Sequence, residues 1–319
     1  MPAIMSASLI ALALVAGVER WRGSWGGEAP ISRFQQAEWV AQASAAEDLF
    51  HKAMQVLGNA KEAASIAVPN GLTPKDSPFL GDEFTPLVTT LGSLESKRLS
   101  AHPGWARALL SKLRNLGIKP GDTVAACFSG SFPALNTALI AACTSLQARL
   151  IAISSVTAST YGANQPGFTW PEMEVLFVQS GLFAPVSIAI SLGGSKDRGE
   201  DLEPATRLQA IRIQEVAARS LGAMVLFPKD LQQAITSRMD LYRFHNRGRL
   251  PSLYVNVGGN TASMGESEAI LGRHNGFLRP MPFDLSSNRG LIARFTEMGV
   301  PVLHLLYIRD LAFRWNIAQ

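Results

Sequence analysis

Two serines flanking a glycine, Ser129, Gly130 and Ser131, separate the apolar run Thr123–Phe128 from Pro133. A strand that breaks into such a loop and reopens as a helix at proline aims backbone N–H groups and hydroxyls at one point. The helix dipole favours negative charge there. Two chemistries follow: binding of an anionic or carbonyl-bearing group, with Gly130 as a ligand contact, and nucleophilic attack by Ser131 or Ser129. The Gly-x-Ser-x-Gly elbow of a nucleophilic serine is absent, because Phe132 and Pro133 occupy positions where small residues are wanted. Ser131 equally suits the cap of the helix that Pro133 starts.

A nucleophilic serine needs a base. Of five histidines only His304, near the end of an apolar run, falls where a strand-end base would stand, with Asp310 six residues on. A lone strand histidine is more often a core residue, so no triad is assigned. The segment Thr89–Ser100 is dense in polar groups, and Ser93, Glu95, Lys97 and Arg98 are candidate ligand contacts. A Lys/Arg pair beside hydroxyls suits a carboxylate or phosphate, against the alternative of an exposed polar helix end. The glycines of a Walker loop are missing there. In Val257–Gly265, Gly258 and Gly259 permit close backbone approach, and Asn260 and Ser263 can donate hydrogen bonds. The Gly-x-Gly-x-x-Gly spacing of a dinucleotide site is absent, and no cofactor is indicated. Ser155 and Asn164 complete the set, from the Gly/Ser-rich stretch after a second apolar run. The loop carrying Asp197, Glu200, Asp201 and Glu203 reads as a solvated charge run, with a divalent cation as the alternative. No His/Cys cluster has metal spacing, and no metal is assigned.

These loops need a frame that brings strand ends together. Six apolar runs, Thr123–Phe128, Leu150–Ser154, Pro185–Ser191, Ala223–Phe227, Leu253–Val257 and Val300–Leu306, alternate with helical patterns. That alternation predicts an α/β fold, a doubly wound and mostly parallel sheet of about six strands covered on both faces. Ligands of such sheets bind outside the carboxyl ends of the strands. Thr169 and Glu172 form a capping box for a helix ending at Gly181. Cys127 lies in an apolar strand and Cys143 in an Ala-rich helix, where small buried residues are expected.

Before the sheet domain (81–319), residues 34–67 predict one long helix or two, a helical arm ending in the Pro/Gly loop that closes segment 23–80. Ala3–Val18 carries no charge. As a helix its 16 residues span roughly 24 Å, and segment 1–22 is read as a single membrane anchor with Trp21 and Trp25 at the interface. Arg20 and Arg22 follow the run, a positive-inside cue for a cytoplasmic domain, but two residues leave the membrane face open. The net charge of +4 is spread out except at Arg238–Arg249, where Arg238, Arg243, Arg247, Arg249 and His245 read as a solvated helix end. Nucleic acid is not assigned as a partner.

Six ordered segments carry a resemblance: EFTPLVTTLGSLESKRLS, GDTVAACFSGSFPALN, ISSVTASTYGANQPGFTW, ISLGGSKDRG, YVNVGGNTASMG and GVPVLHLLYIRDLA. Together they resemble the poly-gamma-glutamate system proteins, a membrane-associated family found with poly-γ-glutamate synthesis genes. The resemblance runs from about Gly81 to Leu311. It implies a membrane-anchored component of polymer synthesis or export, binding poly-γ-glutamate, another acidic ligand, or other components of that system. It implies no catalytic residues. A serine-dependent amide hydrolase or transferase acting on γ-glutamyl bonds is the first alternative, and a non-catalytic scaffold the second.

Overall fold

A seven-stranded sheet organises the chain in a computed structural model that describes residues 33–66, 68–69, 71–266, 275–278 and 289–317. Two compact units divide the chain, Met1–Ala41 and Gln42–Gln319. Of the first, residues 33–41 are described, and they open helix α1 (Arg33–Ala63). The seven-stranded sheet belongs to the second.

The elements after α1 are β1 (Val88–Thr90), α2 (Leu94–Ser100), α3 (Gly104–Asn115), β2 (Thr123–Phe128), α4 (Pro133–Leu146) and β3 (Arg149–Ser155). Three two-residue strands follow, β4 (Ala158–Ser159), β5 (Asn164–Gln165) and β6 (Phe168–Thr169). Then come α5 (Trp170–Gln179), β7 (Ser187–Ser191), a 3₁₀ turn at Ser195–Asp197, α6 (Pro204–Leu221), β8 (Met224–Val225) and α7 (Leu231–His245). The chain continues through β9 (Leu253–Val257), α8 (Thr261–Met264), β10 (Gly276–Leu278), α9 (Leu291–Glu297), β11 (Val302–Leu305) and α10 (Ile308–Arg314).

The sheet order is β10-β11-β9-β2-β3-β7-β8, with every pairing parallel except β10 with β11. From β2 the chain winds outward through β3, β7 and β8, then returns to lay β9 on the other side of β2. The winding direction therefore reverses between β2 and β9, and a crevice opens at such a reversal, outside the carboxyl ends of the strands.

β2 is buried at all six positions, as a strand covered on both faces must be. Ala125 and Cys127 face a core built with Leu231, Ile235 and Tyr242 of α7 and Ile292 and Phe295 of α9. On the other side Phe128 meets Trp170 of α5 edge-on, with ring centroids 5.5 Å apart. α4 is apolar nearly all round and buried along its length, as expected of a helix enclosed by its neighbours. From Gln42 onward α1 is part of this unit. Ala43, Ala46, Phe50, Ala53 and Leu57 form a buried stripe at helical spacing, and Glu47 takes a bidentate pair from Arg107 of α3. The expected arm is thus, over residues 42–63, an integral layer of the fold.

All six expected strands form. Ala223–Phe227 contracts to two residues because it lies at the sheet edge, where Met224 is exposed. The capping box forms as well, with the Thr169 N–H 3.0 Å from Glu172 Oε2. β10, a three-residue edge strand, and short β1 and β4–β6 carry no periodicity by which to find them. Two charged residues read as solvated are not. Arg238 is fully buried and Asp197 nearly so, and each is the other's partner: Nη1 to Oδ2 is 2.5 Å and Nη2 to Oδ1 is 3.1 Å. Ser191 Oγ, 2.8 Å from both Arg238 Nη2 and Asp197 Oδ1, completes the network. Segment 1–22, read as a membrane anchor, lies outside the described residues. Among the described residues no helix is long and apolar enough to cross a membrane.

Candidate functional site

The strand ends converge on one cavity of about 360 Å³. Ser129, Ser131 and Phe132 follow β2, Ser155 and Thr157 close β3, and Ser159 ends β4. Gly194, Ser195 and Asp201 come from the loop after β7, Gly259, Asn260 and Thr261 from the end of β9, and Leu306 from the end of β11. The β1–α2 connection, Thr89 to Gly92, covers this end, and Lys97 reaches in from α2. The cavity sits at the β2/β9 reversal, where Ser129 N–H donates to the Val257 carbonyl at 3.2 Å.

Backbone proximity explains the glycines. A Cβ on Gly130 would lie 2.7 Å from the Thr157 carbonyl, and one on Gly162 would lie 2.9 Å from the Gly130 carbonyl. The β2–α4 turn therefore nests against residues 157–163, and Ala163 N–H donates to the Gly130 carbonyl at 2.7 Å. Gly258, at φ +85°, would place a Cβ 2.9 Å from Ser129 Cβ, so it too serves close packing. Backbone amides fix two of the hydroxyls: Ser159 N–H donates to Ser131 Oγ at 3.1 Å, and Ser131 N–H donates to Ser129 Oγ at 3.1 Å.

Lys97 is the unusual group. Its side chain is buried, 2% exposed, and no carboxylate of the described residues lies within 4.0 Å of Nζ. Nζ donates to the Ser131 carbonyl, lies 2.7 Å from Ser159 Oγ and sits 3.9 Å from the centre of the Phe132 ring. Burial without a counter-charge pushes this amine down to about 7. As an ammonium, Nζ donates to Ser159 Oγ as well as to the carbonyl. A carbonyl oxygen and a ring face only accept, so in the neutral amine they take both hydrogens and leave the lone pair for the one partner that can donate, the Ser159 hydroxyl. In that protonation state the pair can work as base and nucleophile.

The structure divides the sequence candidates. Ser129, Ser131, Lys97, Ser155, Gly259 and Asn260 line the cavity, whereas Gly130 and Gly258 shape it from behind. Arg98 is exposed and takes no part in the lining, so the expected Lys/Arg pair does not converge. Consecutive helical residues point about 100° apart, and only Lys97 faces inward. Ser93 caps α2, accepting from Ser96 N–H at 3.4 Å, and exposed Glu95 pairs with Arg309 at 3.3 Å. Asn164 holds residue 82, accepting from the Asp82 N–H and donating to the Asp82 carbonyl. Ser263 hydroxyl is spent on Tyr254 Oη at 2.6 Å. His304 lies 2.9 Å from the Asn256 amide, away from the lining, and burial holds it down at about 4. Among the described residues no three His, Cys, Asp or Glu side chains gather as a metal site.

Ser159 was not singled out from the sequence. It lies in the polar stretch after β3, but its place depends on the parallel pairing of Thr90 with Ser159, 69 residues apart. No local pattern reports such a contact. Gly92 adjoins the pair: a Cβ there would lie 3.0 Å from Ser159 Oγ and 3.2 Å from Lys97 Cε. Gly92→Ala is therefore expected to leave the fold intact by circular dichroism while slowing whatever reaction the Ser159 hydroxyl has with an electrophilic probe by about 10- to 100-fold, since small displacements of reacting groups cost that much. An unchanged rate would show that the pair tolerates displacement.

The chain matches no family model, no curated protein and no solved structure.

Proposed function

We propose that this cavity is the active site of a serine-dependent hydrolase or transferase of amide or ester bonds, with Ser159 as nucleophile and Lys97 as its base. The observation that carries the reading is the buried, uncompensated Lys97 amine 2.7 Å from a cavity-facing hydroxyl. Ser–Lys pairs are a known variant of serine acyl-transfer machinery. In the first step Ser159 Oγ bonds to the acyl carbon while its proton passes to Lys97 Nζ. Collapse of the adduct breaks the bond to the leaving group, which takes the proton from Nζ. Water, or an acceptor amine or alcohol, then attacks the acyl-serine with Lys97 again removing a proton, and Ser159 is regenerated. Ser131 and Ser129, the nucleophiles indicated by sequence, become positioning groups here: Ser131 supplies the carbonyl that orients Nζ and the oxygen that fixes the Ser159 N–H.

The resemblance to poly-gamma-glutamate system proteins supports a γ-glutamyl bond as the substrate and segment 1–22 as an anchor that places the domain beside polymer-handling partners. A second reading is non-catalytic capture of an acidic chain end by protonated Lys97. It is favoured by the Phe132 ring 3.9 Å from Nζ, a contact suited to a cation.

The test is labelling with an alkyl fluorophosphonate followed by peptide mass spectrometry. Wild-type protein is expected to carry the label on Ser159, at a rate that climbs as pH rises through about 7. Ser159→Ala is expected to remain unlabelled, and Ser131→Ala to retain the label. Absence of label, or label on Ser129 or Ser131 in the wild type, would overturn the assignment. Salt-sensitive co-migration of poly-γ-glutamate with unlabelled, inactive protein would favour the second reading.

A further inference from the structure

The charges around the cavity specify more than a nucleophile. Among the described lining residues there is one cation, Lys97, in the interior, and one carboxylate, Asp201, at the exposed rim. Asp201 is held in place: its Oδ2 accepts from Ser195 N–H at 2.5 Å. Gly194 makes that position possible, because a Cβ there would lie 2.7 Å from the same oxygen. Asp201 has no basic partner within 4.0 Å among the described residues, although the same loop carries two cations, Lys196 and Arg198. Both pair instead with Glu200. The loop thus leaves one carboxylate facing the cavity mouth with its charge uncommitted.

Resting on the Ser159–Lys97 reading, we infer that the substrate is an amine-bearing acyl compound, an aminoacyl ester or amide, whose ammonium is received by Asp201. The charge layout argues against the opposite polarity. A substrate carboxylate set against Lys97 would hold its ammonium form, remove the lone pair from Ser159 and shut off the base. An ammonium at the rim has the reverse influence, since it favours neutral Lys97 and is attracted to Asp201. A substrate of this class lets the neutral Lys97 amine and the Asp201 carboxylate operate at once. For a glutamyl compound, this places the free α-amino group, and not a carboxylate, at the recognition point.

The experiment compares acylation of the full chain by two esters, alanine p-nitrophenyl ester and its N-acetyl derivative, in wild type and Asp201→Asn. Wild type is expected to prefer the free amine by about five- to tenfold in kcat/KM after correction for spontaneous hydrolysis, the range of a charge-assisted contact at a partly exposed site. Asp201→Asn is expected to erase the preference, read as the ratio of the two esters' rates within the variant. Equal rates for the two esters in wild type, a preference that survives in Asp201→Asn, or fluorophosphonate labelling of Ser159 with no turnover of either ester would overturn this inference and leave the nucleophile assignment standing. Failure of the fluorophosphonate to label Ser159 would overturn both.

Discussion

Lys97→Met is expected to suppress acylation of Ser159 by about 10²- to 10⁴-fold, the usual contribution of a positioned base, and to flatten part of the pH dependence of stability. Among the described residues two buried lysines, Lys97 and Lys61, have no carboxylate partner within 4.0 Å. Lys61 Nζ donates to the Leu80 carbonyl and lies 5.6 Å from the Phe168 ring centre. Burial pushes both amines from 10.5 down to about 7. Between those values the unfolded chain holds a proton at each that the folded protein has released. Stability therefore rises with pH, by about 1.4 kcal/mol per pH unit for each lysine. Below about 7 both states are protonated and the contribution is constant.

Other buried groups bound that interval. Cys127 and Cys143 are pushed up by burial from 9.0 to about 11 and about 12, so above pH 9 the unfolded chain loses their protons first and this loss offsets the gain from the two lysines. His304, lowered from 6.5 to about 4, is charged first in the unfolded chain and destabilises the fold in acid. Stability is expected to level off at about pH 9. Urea titrations at pH 7.5 and 8.5 would read the slope. Wild type should gain about 2 to 3 kcal/mol between them, and Lys61→Met and Lys97→Met should each remove roughly half of the gain. Only Lys97→Met should also lose serine reactivity. Equal stability at the two pH values would show that both amines remain protonated in the folded protein, and with them the base would go.

The second large effect concerns the Asp197–Arg238 pair. Asp197→Asn leaves the fully buried Arg238 guanidinium without its counter-charge and is expected to destabilise by about 3–5 kcal/mol. Asparagine is the fair replacement, because Asp197 sits at φ +66°, a left-handed backbone that Asn tolerates better than most residues. Arg238→Met should cost a similar amount by stranding Asp197. The double variant should lose less than the sum of the two, since neither uncompensated charge remains. Urea unfolding of the three variants gives the coupling directly. Additive losses, or a loss under 1 kcal/mol in Asp197→Asn, would remove the pair from any account of the fold. The pair matters for the site because the strained turn it pins, with Lys196 at φ +51° as well, belongs to the loop that presents Gly194, Ser195 and Asp201.

These two features mark where sequence reasoning stopped. Six of the seven sheet strands were legible because a strand buried on both faces needs an unbroken apolar run, and Thr123–Phe128 is one. The convergence of Gly/Ser-rich strand ends followed from parallel topology alone. Asp197 and Arg238 are 41 positions apart on elements whose local composition is polar, and each looks solvated until the other is placed. The same holds for the site. Lys97 was visible as a cation beside hydroxyls, but an exposed Arg98 was equally so, and the helical phase that separates them depends on where α2 packs. Ser159 was hidden because two-residue β4 exists only through β1.

The winding order has a consequence for how the molecule is made. Lys97, Ser131, Ser159 and Asp201 all precede β8, and the strands β2, β3, β7 and β8 form a contiguous half-sheet. A chain emerging from its amino end therefore carries the whole reactive set before β9 exists. The later β9 and β11 must dock across β2, pairing Leu253 with Val124, and they bring Gly259, Asn260, Thr261 and Leu306 as the remaining wall. Such long-range parallel pairing is the slow kind. The proposed reactive pair and its enclosure are thus delivered by separate stretches of synthesis, and the second half is free to vary the pocket's wall without touching Lys97 or Ser159.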